Sequence, residues 1–552
     1  MKYSIVFLLF FVFSFLFRSD LSFDQDLGRH IRLGEIIFKN YQVPKVNLFS
    51  YTNPDFPFIN THWLFEVLAY LGSISIGVQA MIILKVFIFL FSVWLTLKVI
   101  PRNNRILLLP IGFIFLHVLR ERLEFRPEIF SFLFTALTYS ILETTLRAKR
   151  VNLLFFLLLI QLIWINTHIY FFIGLLLQGI FIIHLLIKKE FSKLKILALI
   201  FLCSIILSLL NPNGISGLLY PLNVNTNYGY TIVENQTMFL LENIEFRDPN
   251  FLFVKLSLGI IGLSILFSFI SRRFELKNIL LALSGAGLSL LNVRSFPYIV
   301  FLSLPAVLQN FGIIKKNIFF SFLSLVTCGL LLLESFFYLN GDYYKYTENG
   351  HTAGISLTES VKGAMDFVLR NDLPSPIYNN FDIGSYIIYR GYPKYQVFVD
   401  GRPEAYPAKF FTDVYIPTQS DDSKFKLLED QYEFKTIIFS ITDQTPWGKA
   451  FLVNVVKDES WKTVYIDDFT IVLVKDSVAQ ELKLETINLS KLTPSQYAFS
   501  NHLSYLRLGI FLLSEGYPNS GKVFIERALQ LFPNDPFANS MFGRQTNKNF
   551  FW

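Results

Sequence analysis

The sequence predicts an α-helical polytopic membrane protein, followed by a small α/β domain outside the cytoplasm and a C-terminal helical hairpin. Composition is the first reason, since 53% of the 552 residues are hydrophobic and only 16% are Asp, Glu, Lys or Arg, against about 25% in an ordinary soluble domain. The second reason is a series of about eleven apolar runs before residue 340. Beyond that residue, short helical and strand-like stretches indicate that the chain has left the membrane.

The apolar runs are the predicted membrane spans. Residues 3–17 follow Lys2 and precede "RSDLSF". Because this is not a small-residue cleavage site, the run is predicted to remain as a helix, with a secretory signal as the alternative. Several other runs are shorter than the ~20 residues that an upright span needs, so their ends are approximate. They lie near residues 79–100, 106–119, 127–146, 151–165, 169–187, 194–210, 251–271, 275–291, 295–311 and 317–339.

Basic loops predict the orientation. They fall at alternate loops, as an odd number of spans requires, and the positive-inside rule places them in the cytoplasm. The N-terminus is then cytoplasmic in an inner (cytoplasmic) membrane, and the large first external loop, residues 18–78, shares the outer face with everything after residue 340. Residues 63–78 are predicted as a short helix at the outer interface, since a true hairpin there would break the charge pattern. The basic loops are residues 101–105, 147–150, 188–195 and 271–277 and the pair Lys315 and Lys316.

The chain divides into three predicted domains. Residues 1–340 form the membrane domain, residues 345–480 the extracytoplasmic α/β domain, and residues 490–545 the hairpin. The hairpin resembles part of a tetratricopeptide repeat, with Ala528, Leu529 and Pro533 at matching places, and it is predicted to cap the α/β domain or to bind a protein partner. Within the α/β domain, "SLTESVKGAMDFVL" is predicted as helical, and the predicted strands are "SYIIY", "YQVFVD", "FKTIIFS", "WKTVYI" and "FTIVLVK".

Charge and cysteine usage exclude other classes. The net charge of +7 comes from short basic clusters between apolar segments, so no continuous surface for nucleic acid is predicted. Cys203 and Cys328 both lie within apolar runs, which excludes a disulfide framework and a thiolate metal site.

The first external loop carries "FDQDLGRHIRLGE", an unusual concentration of charge. Asp24 and Asp26 are two positions apart, so they converge only at a junction between loop and helix. Such a junction is predicted because Ser22 and Gln25 form a capping-box pattern. The structural interpretation is that acidic residues at a helix start favour the helix dipole. The functional interpretation is that the two carboxylates act as a base or bind a divalent cation, Mg or Mn.

Cationic and polar residues follow on the same face of the membrane. Arg29, His30 and Arg32 suit an anion such as phosphate, with lipid headgroup contact and a salt bridge to Glu35 as the alternative. His62 and Glu66 are one helical turn apart, which predicts the polar edge of a pocket, whereas a metal pair or anchoring through Trp63 are the alternatives.

Further candidates lie at the outer ends of spans. Arg126 and Arg294 are costly there and are therefore functional candidates, with helix-to-helix salt bridges as the alternative. Asn166 and His168 form either a buried hydrogen-bonded pair or an acceptor contact.

"FVDGRPEAY" in the α/β domain predicts an Asp-Gly turn locked by Asp400 and Arg402. The alternative is a contact with acceptor or glycan, for which Asn380 and Asp382 could supply the other side of a groove.

Taken in order, several stretches resemble the GT-C superfamily of polytopic glycosyltransferases, and still more a subgroup of uncharacterised bacterial membrane proteins. They cover most of residues 20–410 and are "FDQDLGRHIRLGE", "PKVNLFSYTNPDFPFINTHWLFEVL", "FRPEIFSFLF", "WINTHIYFFIGLLL", "LLNPNG", "NVRSFPY" and "YNNFDIGSYIIYRGYPKYQVFVDGRPEAY". The resemblance implies a polyprenyl-phosphate-linked sugar donor and a catalytic carboxylate at Asp24 or Asp26. It also implies phosphate binding by Arg29, Arg126 and Arg294.

The resemblance has limits that shape the expected function. The Trp-Trp-Asp signature of oligosaccharide transfer to asparagine is absent from the sequence, so protein N-glycosylation is not implied. The expected function is sugar transfer to an envelope glycan, lipid or protein acceptor on the extracytoplasmic face. The alternative is a non-catalytic scaffold or assembly factor for envelope polysaccharide. A transporter is less consistent with the sequence, because the polar residues gather at one rim and not within the spans.

Overall fold

All the apolar runs predicted from the sequence are helical in the structure, a computed structural model. It describes residues 3–148, 151–223, 228–246, 248–312, 318–346 and 351–541. The helices of the apolar part are α1 (Ser4–Leu16), α2 (Gly28–Asn40), α3 (Trp63–Ser75), α4 (Val78–Val99), α5 (Leu108–His117), α6 (Glu128–Ala148), α7 (Phe156–Thr167), α8 (Phe172–Ile187), α9 (Phe191–Leu207), α10 (Gly214–Asn223), α11 (Met238–Asn243), α12 (Asn250–Ile270), α13 (Leu276–Leu291), α14 (Leu304–Phe311) and α15 (Ile318–Leu339).

Helix length and composition make this a membrane protein. Among the described residues, five helices are long and apolar enough to cross a membrane: Val78–Val99, Glu128–Arg147, Ile169–Ile187, Asn250–Ile270 and Ile318–Leu339. Other apolar helices, including Ser4–Leu16 and Leu276–Leu291, are shorter. The total of about eleven spans stays a prediction, because short helices cross only when tilted or when flanking turns extend them. Of the basic residues that predicted the orientation, Lys149, Arg150, Lys315 and Lys316 lie outside the described residues.

The apolar helices bury one side and expose the other. Helix α1 packs against α4, α5 and α15, and its Phe11 and Phe15 are fully buried. On α15, by contrast, Leu325 is 70% exposed. A helix that exposes large aliphatic side chains on one face is stable where that face meets lipid.

The first loop, residues 18–78, begins with a short pairing to a distant segment. Strand β1 (Ser19–Asp20) runs parallel to β2 (Ser356–Leu357), and a wide π-helical turn, Phe23–Leu27, then leads into α2. The predicted capping box is wrong, because the Ser22 hydroxyl donates to Asp20. Helices α2 and α3 cross tightly at Gly34, where a Cβ atom would overlap the backbone oxygen of Glu66.

A four-stranded sheet forms the centre of the C-terminal part. Its strands are β3 (Ile377–Asn379), β4 (Thr436–Ser440), β5 (Trp461–Ile466) and β6 (Thr470–Lys475), in the order β3-β4-β6-β5. Strand β3 is parallel to β4, and the other pairs are antiparallel. The surrounding helices are α16 (Asp342–Lys345), α17 (Lys362–Arg370), α18 (Gly384–Gly391), α19 (Ile416–Ser420), α20 (Asp422–Tyr432), α21 (Pro446–Val455), α22 (Asp476–Glu481), α23 (His502–Ser514), α24 (Pro518–Leu531) and α25 (Pro536–Met541).

Three of the five predicted strands are confirmed, namely those in "FKTIIFS", "WKTVYI" and "FTIVLVK". "SYIIY" is wrong, because this stretch lies in α18, where Tyr386, Ile387 and Ile388 are all buried. A short apolar run buried on every side carries no periodicity that separates helix from strand. "YQVFVD" is also wrong as a strand of the sheet. Its Val397 bridges instead to the first loop, donating to the Phe49 carbonyl and accepting from the Tyr51 amide.

The C-terminal hairpin is formed by α23 and α24. The two helices cross closely at Gly509 and Gly521, and Ala528 is fully buried. The likeness to a tetratricopeptide unit stays a prediction, and residues 542–545 of the predicted hairpin lie outside the described residues.

Candidate functional site

Asp26 meets arginines from a distant part of the chain. Its Oδ1 accepts from Arg29 Nη2 at 3.2 Å, and its Oδ2 lies 3.2 Å from Arg126 Nε. Arg126 also donates from Nη2 to Gln25 Oε1 at 2.9 Å. The loop between α5 and α6 is thereby joined directly to the first loop.

Glu234 collects three guanidinium groups. Its carboxylate lies 2.9 Å from Arg122 Nη1, 3.1 Å from Arg126 Nη1 and 2.9 Å from Arg294 Nη2. We call these residues the arginine cluster: Arg29, Arg122, Arg126, Arg294, Asp26 and Glu234. Sequence reasoning missed Glu234 and Arg122. The signal available for Glu234 was an acidic residue within the long outer loop 211–250.

One side of the arginine cluster is open to solvent. The side chains of Glu234 and Arg294 are each 30% exposed, and that of Asp26 is 22% exposed. The buried Nε atoms of Arg29, Arg122 and Arg294 make no hydrogen bond to the described part of the chain. The cluster therefore combines a surplus of cationic donors with access for a ligand, which suits an anion.

The arginines keep both carboxylates of the cluster ionised. Burial by itself raises the pKa of Asp26, but the Arg126 and Arg29 charges outweigh it and lower that pKa below its usual range. The pKa of Glu234 is far below its usual range for the same reason, with Arg122, Arg126 and Arg294 acting against burial. A carboxylate with a strongly lowered pKa is a weak proton acceptor at neutral pH.

Asp24 faces a different partner. It is buried, and its Oδ2 accepts from the Ser360 amide at 2.9 Å. Burial raises its pKa to about 7. Asp24 and Asp26 therefore contact separate segments, and among the described residues no group of three His, Cys, Asp or Glu side chains is placed to hold a metal ion.

Histidines predicted as site residues come together in a row. His30 Nδ1 lies 3.1 Å from Glu66 Oε1, whose other oxygen accepts from Asn60 Nδ2 at 2.6 Å. The ring centroids of His30 and His62 are 5.9 Å apart, and those of His62 and His168 are 5.4 Å apart. We call His30, His62 and His168 the histidine row. Burial first, and then neighbouring positive charge, lowers the pKa of all three, so they are neutral at pH 7.

Asn166 lies beside this row and is fully engaged. Its Oδ1 accepts from Trp63 Nε1 at 2.7 Å, and its Nδ2 donates to the carbonyls of Leu162 and Leu210. These contacts fit the predicted buried, hydrogen-bonded role. His168 is held similarly, with Nδ1 2.7 Å from Ser131 Oγ.

Arg32 contacts residues outside the arginine cluster. It forms the predicted salt bridge with Glu35 at 2.5 Å and donates to the Tyr389 carbonyl at 2.8 Å. Arg32, Glu35 and Tyr389 line a groove of about 390 Å³ between α2, α3 and α18.

Asp400 and Arg402 form the predicted locked turn. Arg402 donates from Nε and Nη2 to the two carboxylate oxygens of Asp400, each at 2.7 Å, and from Nη2 to Asn47 Oδ1 at 2.9 Å. Its guanidinium lies 5.1 Å from the ring centroids of Phe49 and Phe58. This turn joins the C-terminal part to the first loop.

The C-terminal part also reaches the site itself. A Cβ atom on Gly401 would lie 3.8 Å from Asp26 Oδ1. Asp382 lies in a turn that packs against the turn carrying Asp26. Burial, with the charges of Asp443 and Asp26, raises the pKa of Asp382 to about 7.

Comparison with known proteins establishes the fold. No protein-family model and no curated protein matches the sequence. Among solved structures, the chain is similar to the archaeal oligosaccharyltransferase AglB from Archaeoglobus fulgidus in complex with an inhibitory peptide and a dolichol-phosphate. That similarity has a TM-score of 0.54 and 11% identity, over 99% of this chain and 87% of that one. For the apo form of the Archaeoglobus fulgidus oligosaccharyltransferase, the TM-score is 0.52 and the identity 12%, over 97% of this chain and 87% of that one. For its complex with Zn and sulfate, the TM-score is also 0.52 and the identity 12%, over 96% of this chain and 86% of that one. The chain therefore shares its fold with this archaeal oligosaccharyltransferase.

Proposed function

We propose that this protein is a membrane glycosyltransferase that takes its sugar from a polyprenyl-phosphate-linked donor. The proposed acceptor is an envelope glycan, lipid or protein on the extracytoplasmic face of the inner membrane. The arginine cluster carries this proposal, because it places several guanidinium groups beside the acidic first-loop motif and leaves Arg294 and Glu234 partly exposed. The similar AglB structure holds a dolichol-phosphate and an inhibitory peptide, which supports a lipid-linked donor and a separate acceptor.

The arginines would stabilise the leaving group. During transfer the bond between the sugar and the donor phosphate breaks, and negative charge develops on the phosphate oxygens. Arg126 and Arg294 already bind the carboxylate of Glu234, and a phosphate presents similar paired oxygens to a guanidinium. We propose that the phosphate takes the place of Glu234. Fixed positive charge at this position would lower the barrier to departure of the leaving group.

As the oxygen of the acceptor hydroxyl bonds to the sugar, a carboxylate of the protein would accept the hydroxyl proton. Asp24 is suited to this role, since its pKa of about 7 is close to neutral pH. Asp26 is assigned a different role, which is to orient Arg29 and Arg126. Asp382, across from Asp26, is proposed to contact the acceptor, and the buried Asn380 beside it holds the turn through Asp443 and Ser440. The histidine row would line the donor side as neutral hydrogen-bonding groups, with Glu66 holding His30 in place and Asn166 holding Trp63.

The donor set does not fit Mg or Mn at Asp24 and Asp26. The two oxygens of Asp26 already face Arg29 and Arg126, and Asp24 accepts from a backbone amide. A divalent cation prefers several converging oxygen ligands. We therefore place no step of the reaction on a metal ion.

A scaffold for envelope polysaccharide is the second candidate. The hairpin formed by α23 and α24 exposes Val523 and Leu531, which suits contact with a protein partner. A scaffold would need this surface and would tolerate changes in the arginine cluster.

Substitution of the two first-loop carboxylates tests the choice. Asp24→Asn and Asp26→Asn are compared with wild type in a deletion strain, by envelope glycan profile, and in membrane vesicles supplied with a polyprenyl-phosphate sugar. Asp372→Asn, in an exposed ion pair with Lys394, is the control that should behave as wild type. We expect Asp24→Asn to abolish transfer and to retain donor binding. Full complementation by both carboxylate variants would favour the scaffold.

A further inference from the structure

Asp20 carries a buried carboxylate, and none of the roles proposed above involves it. It is fully buried, and its Oδ2 lies 2.6 Å from Nζ of Lys85 on α4. The same oxygen accepts from the Phe125 amide at 2.9 Å. Oδ1 accepts from both the amide and the hydroxyl of Ser22, at 2.9 Å and 2.5 Å. One carboxylate thus binds a membrane helix and two separate loops.

The two loops are those that carry the central ion pair of the site. Ser22 precedes the turn that holds Asp24 and Asp26, and Phe125 precedes Arg126. The backbone of Asp20 also accepts from the Thr358 amide at 2.9 Å, next to the segment whose Ser360 binds Asp24. Asp20 is therefore bonded to Phe125, the residue before Arg126, and to Ser22, which directly precedes the turn that carries Asp26.

Stability alone is a weak reason for such a pair. Desolvation of two buried charges offsets much of their attraction, and apolar residues of similar volume would serve stability as well. An ionisable residue on a membrane helix is by default a candidate for function. Lys85 is such a residue, since it is 2% exposed and lies within a helix apolar enough to cross the membrane.

We propose that Asp20, held by Lys85, is a positioning residue that sets the placement of Asp26 against Arg126. The carboxylate needs its charge to hold Lys85, and it needs both oxygens to hold the two loops. This inference rests on the proposed function for its catalytic meaning, but the positioning itself can be measured without any transfer assay.

Hydrogen–deuterium exchange of the full-length protein in nanodiscs tests the positioning. The variants are Asp20→Asn and Lys85→Met, and the matched control is Glu143→Gln, whose carboxylate forms a comparably buried ion pair between α6 and α13. We expect exchange of the Ser22 and Phe125 amides to rise about tenfold in both test variants. Asp20→Asn removes the charge and one acceptor oxygen, and Lys85→Met removes the cation that holds the carboxylate in place. The control should leave both amides unchanged. Unchanged exchange in folded Lys85→Met protein would overturn the inference.

A double-mutant cycle links the positioning to the site. The probe is a polyprenyl phosphate, and its affinity is measured for wild type, Asp20→Asn, Asp26→Asn and the double variant. If Asp20 acts through Asp26, Asp20→Asn weakens binding about tenfold alone and less than about twofold when Asp26→Asn is present. Lys85→Arg, which keeps the charge, should restore affinity relative to Lys85→Met. If Asp20→Asn weakened affinity by the same factor with and without Asp26→Asn, the inference would be overturned.

The outcomes separate the two ideas. If wild-type protein fails to bind the polyprenyl phosphate, the proposed function fails and the exchange measurement still decides the positioning. Should both single variants fail to fold, Asp20→Leu combined with Lys85→Met removes both charges together, and the same two amides are followed.

Discussion

Two carboxylate–guanidinium systems connect the first loop to the rest of the protein, and they differ in what they leave free. Asp400 and Arg402 are almost completely buried, and Arg402 bonds both carboxylate oxygens and Asn47. The arginine cluster uses the same chemical groups at a position open to solvent. There, Glu234 alone binds three guanidinium groups, and several donor atoms remain unused by the described residues.

The difference teaches how a structural ion pair and a binding site are told apart. A saturated, aromatic-flanked pair has nothing left to offer a ligand, so its role is to hold two segments together. A cluster with exposed edges and surplus donors can exchange one anion for another. Charge and residue type are alike in the two systems. They differ in whether the hydrogen-bonding groups are all used within the protein and in whether the side chains are exposed to solvent.

The largest expected effect comes from breaking the saturated pair. Arg402→Met leaves the Asp400 carboxylate buried without its cation, and loss of one partner costs about 3–5 kcal/mol in such pairs. We expect a lower free energy of unfolding, measured by chemical or thermal unfolding of detergent-solubilised protein. Lys394→Met, at the exposed pair with Asp372, is the control and should change nothing measurable. Equal effects from the two variants would remove the distinction between the systems.

The next largest effect is expected in the pH dependence of stability that Asp24 causes. Burial raises the pKa of Asp24 from 3.8 to about 7. Between these values the folded protein binds more protons than the unfolded chain, so the free energy of unfolding falls as pH rises from about 4 to about 7. At about 1.4 kcal/mol per pKa unit, the cost reaches at most about 4 kcal/mol at pH 8. We expect Asp24→Asn to unfold at a higher temperature than wild type at pH 8 and at a similar temperature at pH 4.

Asp26→Asn is the matched control for that series. The pKa of Asp26 is lowered in the folded protein, so its carboxylate stabilises the fold above its unfolded pKa, and the variant should lose stability at pH 8. Shifts of the same sign in Asp24→Asn and Asp26→Asn would mean that the two carboxylates occupy similar environments, against the geometry described here.

A smaller effect, on binding and not on stability, is expected at Arg294. Its side chain is partly exposed, so Arg294→Met should unfold much like wild type. Loss of a charge-assisted hydrogen bond of about 1.5–3 kcal/mol should weaken affinity for a polyprenyl phosphate by about 10- to 100-fold. Titration in nanodiscs measures this, and unchanged affinity would argue that the cluster is only a structural pair.

The smallest effect is expected at Arg32, which the sequence also marked for anion binding. Its pair with Glu35 is half-buried, and such pairs contribute under about 1 kcal/mol. Arg32→Gln should alter polyprenyl phosphate affinity by less than about twofold. A loss as large as that of Arg294→Met would move the proposed site to the groove beside Tyr389.

Sequence reasoning was most successful where long patterns carry the signal. The apolar runs predicted the helices, because a run of this length has few other stable structures in a membrane. The three histidines of the row were singled out by separate local patterns. His30 lies in the charged motif of the first loop, His62 is one helical turn before Glu66, and His168 lies between two apolar runs. Motif order also carried information on the fold, since spacing along the chain follows topology even where single residues vary.

The details that sequence could not supply depend on tertiary contacts. Glu234 became the centre of the cluster only because three distant loops meet there. Asp24 and Asp26 were expected to act together, but the wide turn Phe23–Leu27 directs them to different partners. Helix α18 was predicted as a strand because full burial hides the helical period.

A structure of the protein in nanodiscs with a polyprenyl phosphate tests the central claim most directly. The account predicts the phosphate within hydrogen-bonding distance of Arg126 and Arg294, with the Glu234 carboxylate displaced from them. Phosphate bound at Arg32 and Tyr389, or Glu234 still bound to all three arginines in the loaded protein, would contradict it.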